Sequence, residues 1–215
     1  MPIGELWPQT NVQGLWHLSN TSDSSGNGYN LNNVNTATFP VGKFGNCVNL
    51  VASSVQYLDI ADASCANLEI SGSQTWMCWT KFNTATGLRG IMCKANSKRL
   101  WTINSVFTFD MPGLTTNTTV TSSVTPTTGV WYFVAGVYDS TAQKLKIWIN
   151  TTKSEVSASG SATDTNGAFL IGNQEAHNIP FDGQIDEAVI FNKALSDNEI
   201  RNYYSWSIGR MARII

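Results

Sequence analysis

Charge is scarce in this chain. Thirteen Lys and Arg stand against 15 Asp and Glu in 215 residues, for a formal net charge of −2. That excludes the basic field a nucleic-acid partner requires and the polybasic patch that holds a protein to a membrane surface. No apolar run approaches the length of a membrane-spanning helix, so membrane insertion is not expected. The opening Met1-Pro2-Ile3-Gly4-Glu5 lacks the basic region and apolar stretch of a secretory signal. Histidine occurs only at His17 and His177, far apart in sequence. Neither a G-x-S-x-G nucleophile turn nor a Gly-rich phosphate loop is present, which removes two common routes to catalysis. The four cysteines, Cys47, Cys65, Cys78 and Cys93, contain no C-x-x-C pair and so no zinc-ligand spacing. Cys47, Cys78 and Cys93 lie in apolar strand patterns and read as small buried hydrophobes; a Cys78–Cys93 bridge between neighbouring strands is the alternative.

What replaces charge is Ser, Thr and Asn, 65 of 215 residues, with 17 Gly and 8 Trp. Thr suits strands, Asn and Ser suit turns, and this balance points to one all-β domain with many loops. Strand-like runs recur at 14–18, 48–51, 57–60, 74–82, 90–94, 100–103, 106–109, 115–125, 131–138, 144–149, 168–171 and 184–191, with turn residues between them. The runs 131–138 and 144–149 flank a polar turn and predict a hairpin. In the second, Leu145, Ile147 and Ile149 share one face, and Lys144, Lys146 and Trp148 share the other. Trp148 is then either exposed or a cover for the outer sheet.

One helix is expected, after Ser196-Asp197-Asn198-Glu199, whose Ser and Glu have capping-box spacing. Residues 1–12 are read as an N-terminal arm, 13–204 as the sandwich, and 205–215 as an apolar and basic tail. Leu6, Trp7, Trp206, Ile208, Met211, Ile214 and Ile215 make both ends apolar. The tail is expected to dock on its own domain or on a neighbouring subunit.

The most informative stretch is Phe181-Asp182-Gly183-Gln184-Ile185-Asp186-Glu187. Strict alternation along a strand sends Asp186 and Glu187 to opposite faces. One of them then faces inward, and a buried carboxylate needs amide donors, a cation or a metal.

Several segments together resemble the laminin-G-like jelly rolls of the concanavalin A-like lectin/glucanase superfamily. Gly14-Leu15-Trp16-His17-Leu18 with Asp23-Ser24-Ser25-Gly26-Asn27-Gly28 is similar to the opening strand and its D-x-S-G-N-G loop. Gly42-Lys43-Phe44-Gly45-Asn46-Cys47 is similar to a G-x-F-G-x-A segment, Thr75–Thr80 to F-T-I-x-A-W, and Phe181–Glu187 to F-x-G-x-I-D-E. The similarity runs over about residues 12–204. It implies an all-β, two-sheet antiparallel jelly-roll sandwich with one short C-terminal helix.

The resemblance also frames the chemistry. Glucanases of this superfamily carry an E-h-D-x-x-E strand, and retaining hydrolysis needs two carboxyl groups about 5–5.5 Å apart. Here Gln184 stands at the first Glu, and Val189 or Ile190 at the second, so no enzyme is expected. The family's structural Ca²⁺ implies ligation by Asp23, Asn27 and Asp186. The alternative is an Asx-turn at Asp23 and a metal-free, hydrogen-bonded Asp186. Loops carrying Asn96, Arg99 and Trp101, and Glu175, His177 and Asn178, are candidate sugar contacts, with Trp7 and Tyr29 as further aromatics.

The functional expectation is a non-catalytic glycan-recognition or adhesion module, with a cell-surface glycan as partner. The setting expected is a phage virion or a surface reached after lysis. The alternative is a structural virion or surface-layer component that self-assembles, or binds other virion proteins, through the chain ends.

Overall fold

The computed structural model describes residues 10–95, 97–163 and 166–211. Asn96 and most of the two chain ends, Leu6, Trp7, Ile214 and Ile215 among them, lie outside the described residues.

Fourteen strands among the described residues build two seven-stranded antiparallel sheets. The first sheet contains β1 (Val12–Trp16), β3 (Val48–Leu50), β5 (Gln74–Phe82), β10 (Trp131–Asp139), β11 (Lys144–Ile149), β12 (Thr152–Ser157) and β14 (Gly183–Phe191). Its order is β1-β14-β5-β10-β11-β12, with β3 paired to the free half of β14. The second sheet contains β2 (Asn32–Val34), β4 (Tyr57–Ile60), β6 (Arg89–Lys94), β7 (Lys98–Ile103), β8 (Val106–Asp110), β9 (Thr119–Thr121) and β13 (Phe169–Ile171). Its order is β2-β4-β13-β6-β7-β8-β9. Helix α1 (Asp197–Met211) follows β14. It continues past the boundary drawn at 204, so the first part of the expected tail is helical.

Two apolar layers result. Between the sheets, inward residues such as Trp16, Trp76, Phe82, Phe109 and Phe169 form one core. Trp16 stacks on Phe169 across the gap with centroids 5.0 Å apart. On the outer face of the first sheet, Met77, Trp79, Phe133 and Trp148 form a second layer, closed by Ile200 and Tyr203 of α1. The alternation read from 144–149 is observed: Leu145, Ile147 and Ile149 enter the inter-sheet core. Trp148, fully buried, lies in the outer layer. The capping box also forms, with the Glu199 amide donating to Ser196 Oγ and the Ser196 amide to Glu199 Oε2. All four cysteines are free and buried, and Cys78 and Cys93 are not bridged.

Two strands escape the sequence pattern. β2 reads Asn-Asn-Val and β12 reads Thr-Lys-Ser-Glu-Val-Ser. Both are edge strands with little apolar alternation to reveal them. The expected long run at 115–125 forms a strand only over β9, with one isolated bridge from Thr116 to Ser159. The preceding residues turn instead, with the Leu114 amide on the Met111 carbonyl and the Met111 amide on that of Thr118.

Candidate functional site

The Asp186–Glu187 pair does not divide between two faces. Along β14, Ile185 and Ala188 both enter the inter-sheet core. Two residues lie between them instead of one, because the pairing with β5 slips between Asp186 and Val189. Glu187 takes the extra position with φ at 52°. Such a bulge places two residues opposite one and resets the alternation. Both carboxylates therefore point to the outer face, beneath α1.

Each has its own partners. Asp186 Oδ2 accepts the amides of Lys43 and Phe44, both at 2.8 Å. These amides come from the Gly42–Gly45 turn, closed by the Gly42 amide on the Gly45 carbonyl. Gly42 is required there: a Cβ would lie 2.4 Å from Cys47 Cβ and 2.9 Å from Asp186 Oδ2. Asp186 Oδ1 is buried with no hydrogen bond of good geometry, although the Glu187 amide lies near enough to favour the ionised form slightly. Burial dominates, with repulsion from Glu187 added, and the Asp186 carboxyl is pushed up to about 7. Glu187 Oε2 meets His17 Nδ1 at 2.8 Å. Burial, with both carboxylates nearby, raises the Tyr203 hydroxyl above its ordinary range. Lys43 stands over the Trp79 ring at 4.2 Å, and burial pulls its ammonium down.

Asp23 is occupied elsewhere. Its Oδ1 accepts the amides of Leu15 and Ser25, and its Oδ2 accepts Ser25 Oγ and the Tyr29 amide. Asn27 Nδ2 donates to the Gln13 carbonyl at 3.0 Å. The D-x-S-G-N-G loop thus clamps β1, while the G-K-F-G turn, not this loop, cradles Asp186. Among the described residues no three His, Cys, Asp or Glu side chains gather to hold a metal. Asp23 is saturated by its donors and Asp186 Oδ2 by two amides, with only Asp186 Oδ1 left open, and the two carboxylates serve separate loops, so a Ca²⁺ shared between them is not expected. Melting curves in Ca²⁺ and in EDTA are expected to superimpose; a rise of several degrees with Ca²⁺ would overturn this.

The loop that Asp23 organises supports a cleft. Tyr29 is buried, and its hydroxyl accepts the Asn67 amide at 3.1 Å. Asn67 lines an open cleft of about 490 Å³ with Gln13, Glu69, Ser73, Ser140 and Asn192. Ser73 Oγ and Ser140 Oγ lie 2.9 Å apart and fix the β10–β11 turn against the start of β5. The lining offers amide and hydroxyl groups, one carboxylate and no cation.

Of the sugar contacts expected from sequence, Arg99, Trp101, Glu175, His177 and Asn178 fall on the second sheet's outer face, apart from this cleft, whereas Tyr29 belongs to the inter-sheet core. Arg99 holds Asp110 through two hydrogen bonds of 3.0 and 2.6 Å and lies 4.3 Å over the Trp101 ring, which is buried. His177 stacks on Tyr57 at 4.7 Å, and Asn178 Oδ1 accepts Gln174 Nε2. The 173–180 segment folds over β6. Gly90 touches Asn173 so closely that a Cβ would lie 2.7 Å from its carbonyl carbon, and Glu175 reaches Gly167 beside Ala95. Arg99 on β7 and the Tyr57–His177 stack on β4 are three strand spacings apart, about 14 Å. The cleft residues escaped sequence reading because they come from four separated segments, none with a local pattern.

No curated protein sequence matches the chain. Among solved structures it is similar to domain 4 of an extracellular arabinanase from Geobacillus stearothermophilus, solved with arabinotriose. Identity is 19%, the TM-score is 0.67, and the match covers 92% of this chain and 100% of that domain. It is also similar to the binding domain of Paraclostridial mosquitocidal protein 1, at 14% identity and a TM-score of 0.71, covering 90% of this chain and 52% of that one. The binding domain of botulinum neurotoxin DC, in complex with SialylT, matches at 13% identity and a TM-score of 0.63, covering 93% and 52%. The chain spans about half the length of these toxin domains. At such identities the likeness is one of fold. A family model described as the concanavalin A-like lectin/glucanases superfamily matches residues 52–201, most of the sandwich. The chain belongs to the concanavalin A-like lectin/glucanase superfamily, as a laminin-G-like jelly roll.

Proposed function

We propose that the chain is a non-catalytic glycan-recognition module, of a virion or another extracellular surface, and that its partner is a cell-surface glycan. The cleft carries this reading. Its volume is that of a small-ligand site, and its amides and hydroxyls suit the hydroxyl groups of a neutral sugar. Solved structures of similar fold include an arabinanase domain with arabinotriose and toxin binding domains, which supports the same reading. Gln184 and Val189, standing where glucanase carboxylates would be, support a binding role over hydrolysis. No helix among the described residues is long and apolar enough to cross a membrane.

A glycan array followed by titration tests it. At least one neutral oligosaccharide is expected to bind, and Asn67→Ala with Asn192→Ala is expected to weaken that binding at least tenfold without changing the melting temperature. An empty array, with rings or lattices in electron micrographs, would replace this reading with that of a structural assembly protein.

A further inference from the structure

A second polar strip crosses the outer face of the first sheet, beside the layer that α1 covers. Strand register sets it out. Trp131 on β10 pairs with Lys81 on β5. Lys81 pairs with Gln184 on β14, and Gln184 pairs with Asn49 on β3. All four face outward. Their chain neighbours Tyr132, Phe82, Ile185, Val48 and Leu50 face the inter-sheet core, and adjacent strand residues take opposite faces. The result is one transverse row, Asn49–Gln184–Lys81–Trp131, spanning three strand spacings, or about 14 Å. Its length suits a short oligosaccharide.

Three features of the row point to a ligand. Gln184 is 9% exposed, and its Oε1 is buried with no hydrogen-bond donor. A buried polar atom left unpaired is costly, and its partner is often a group the bare protein lacks. Lys81 has no carboxylate within ion-pair distance among the described residues, and its Nζ lies 5.4 Å from the centroid of the Trp131 ring. Trp131 is half-buried, held by the outer apolar layer. An indole that is fixed and only half-buried, with Lys81 over part of it, offers its remaining ring surface to the C–H side of a sugar.

We infer that this row is a binding strip for an acidic saccharide, one bearing a carboxylate on the ring that lies over Trp131. The sugar's carboxylate meets Lys81 as a charge-assisted hydrogen bond. A ring hydroxyl donates to Gln184 Oε1, and Asn49 meets the next sugar along. The strip is independent of the cleft. The cleft lies by Ser73, before the start of β5, and Lys81 lies eight residues on, about 26 Å away along an extended strand. The chemistries also differ, since the cleft has a carboxylate and no cation.

The test compares trigalacturonic acid with neutral maltotriose, by calorimetry and by the Trp131 indole N–H signal in ¹H–¹⁵N spectra. Trigalacturonic acid is expected to bind at least tenfold more tightly than maltotriose and to shift the Trp131 signal. Trp131→Ala is expected to abolish binding. Lys81→Met, which keeps the stem over the ring, is expected to remove the preference for the acid, and Lys81→Arg to restore it. The Trp131 signal reports the strip alone, and a neutral sugar seated in the cleft is expected to leave it in place, so failure of the strip and failure of the cleft are read separately. Equal affinity for the two trisaccharides, no binding of either, or acid binding that survives both Trp131→Ala and Lys81→Met would overturn the inference.

Discussion

Asp186→Asn is expected to stabilise the protein at alkaline pH and to remove the part of its pH-dependent stability between about pH 4 and 8 that this carboxyl supplies. The parent carboxyl titrates near 7 in the folded chain, against 3.8 for an ordinary Asp. A raised folded value means that the native state holds the proton more tightly than the unfolded one. The stability this group contributes is therefore complete below about pH 4 and is lost as pH rises through about 7. At about 1.4 kcal/mol per pH unit the loss approaches roughly 4 kcal/mol. Asparagine keeps an oxygen for the Lys43 and Phe44 amides and never ionises. It gives up the charge-assisted part of those bonds, so a gain of roughly 2–4 kcal/mol above pH 8 is the expected net. Denaturant melts of both proteins at pH 5, 7 and 9 decide it. Parallel curves for parent and variant would show that Asp186 is ionised throughout.

Trp79→Ala is expected to cost about 3–5 kcal/mol, the usual range for truncating a buried aromatic, and to lower the melting temperature by roughly 10–15 °C. Trp79 is 2% exposed. It stacks on Tyr204 of α1 at 5.9 Å and meets Phe44 at 5.7 Å and Phe133 at 5.7 Å, so it joins the helix, the Gly42–Gly45 turn and the sheet. It also pairs with Asp186 across the β5–β14 register. Opening this layer admits water to the carboxylate, and the pH step described for the parent should move down towards pH 4. Thermal melts across the same pH series check both effects. A loss below 1 kcal/mol would mean that α1 settles onto the space the indole leaves.

Much of the fold is legible in the sequence because each core strand carries its own signal. The 131–149 hairpin, the alternation of Leu145, Ile147 and Ile149, and the Ser196–Glu199 cap all depend on neighbours within a few residues. The site is less legible because it depends on register. Nothing local distinguishes Lys81 from any other lysine, or says that Gln184 and Trp131 flank it. The Asp186–Glu187 error has one physical source. Alternation holds only while the ladder is regular, and the extra residue at Glu187 is set by pairing with β5, far away in sequence. The Asp23 loop reads as oxygen-rich, but the groups that meet its carboxylate, three backbone amides and the Ser25 hydroxyl, are brought to it by the folded loop and by β1.

The pairing of β1 with β14 carries a consequence for how the chain is made. β1 is the first strand among the described residues, and its only sheet partner is the last. During synthesis β1 therefore has no edge to join until β14 has left the ribosome. Until then the β5 edge that will receive β14 also stands open. Bringing such distant segments together carries the loop-closure cost that makes folding slow in sheets dominated by non-local contacts. A nascent chain stalled before residue 183 would display Trp79 and Phe133 beside an unpaired strand edge, the condition under which partly made β proteins aggregate.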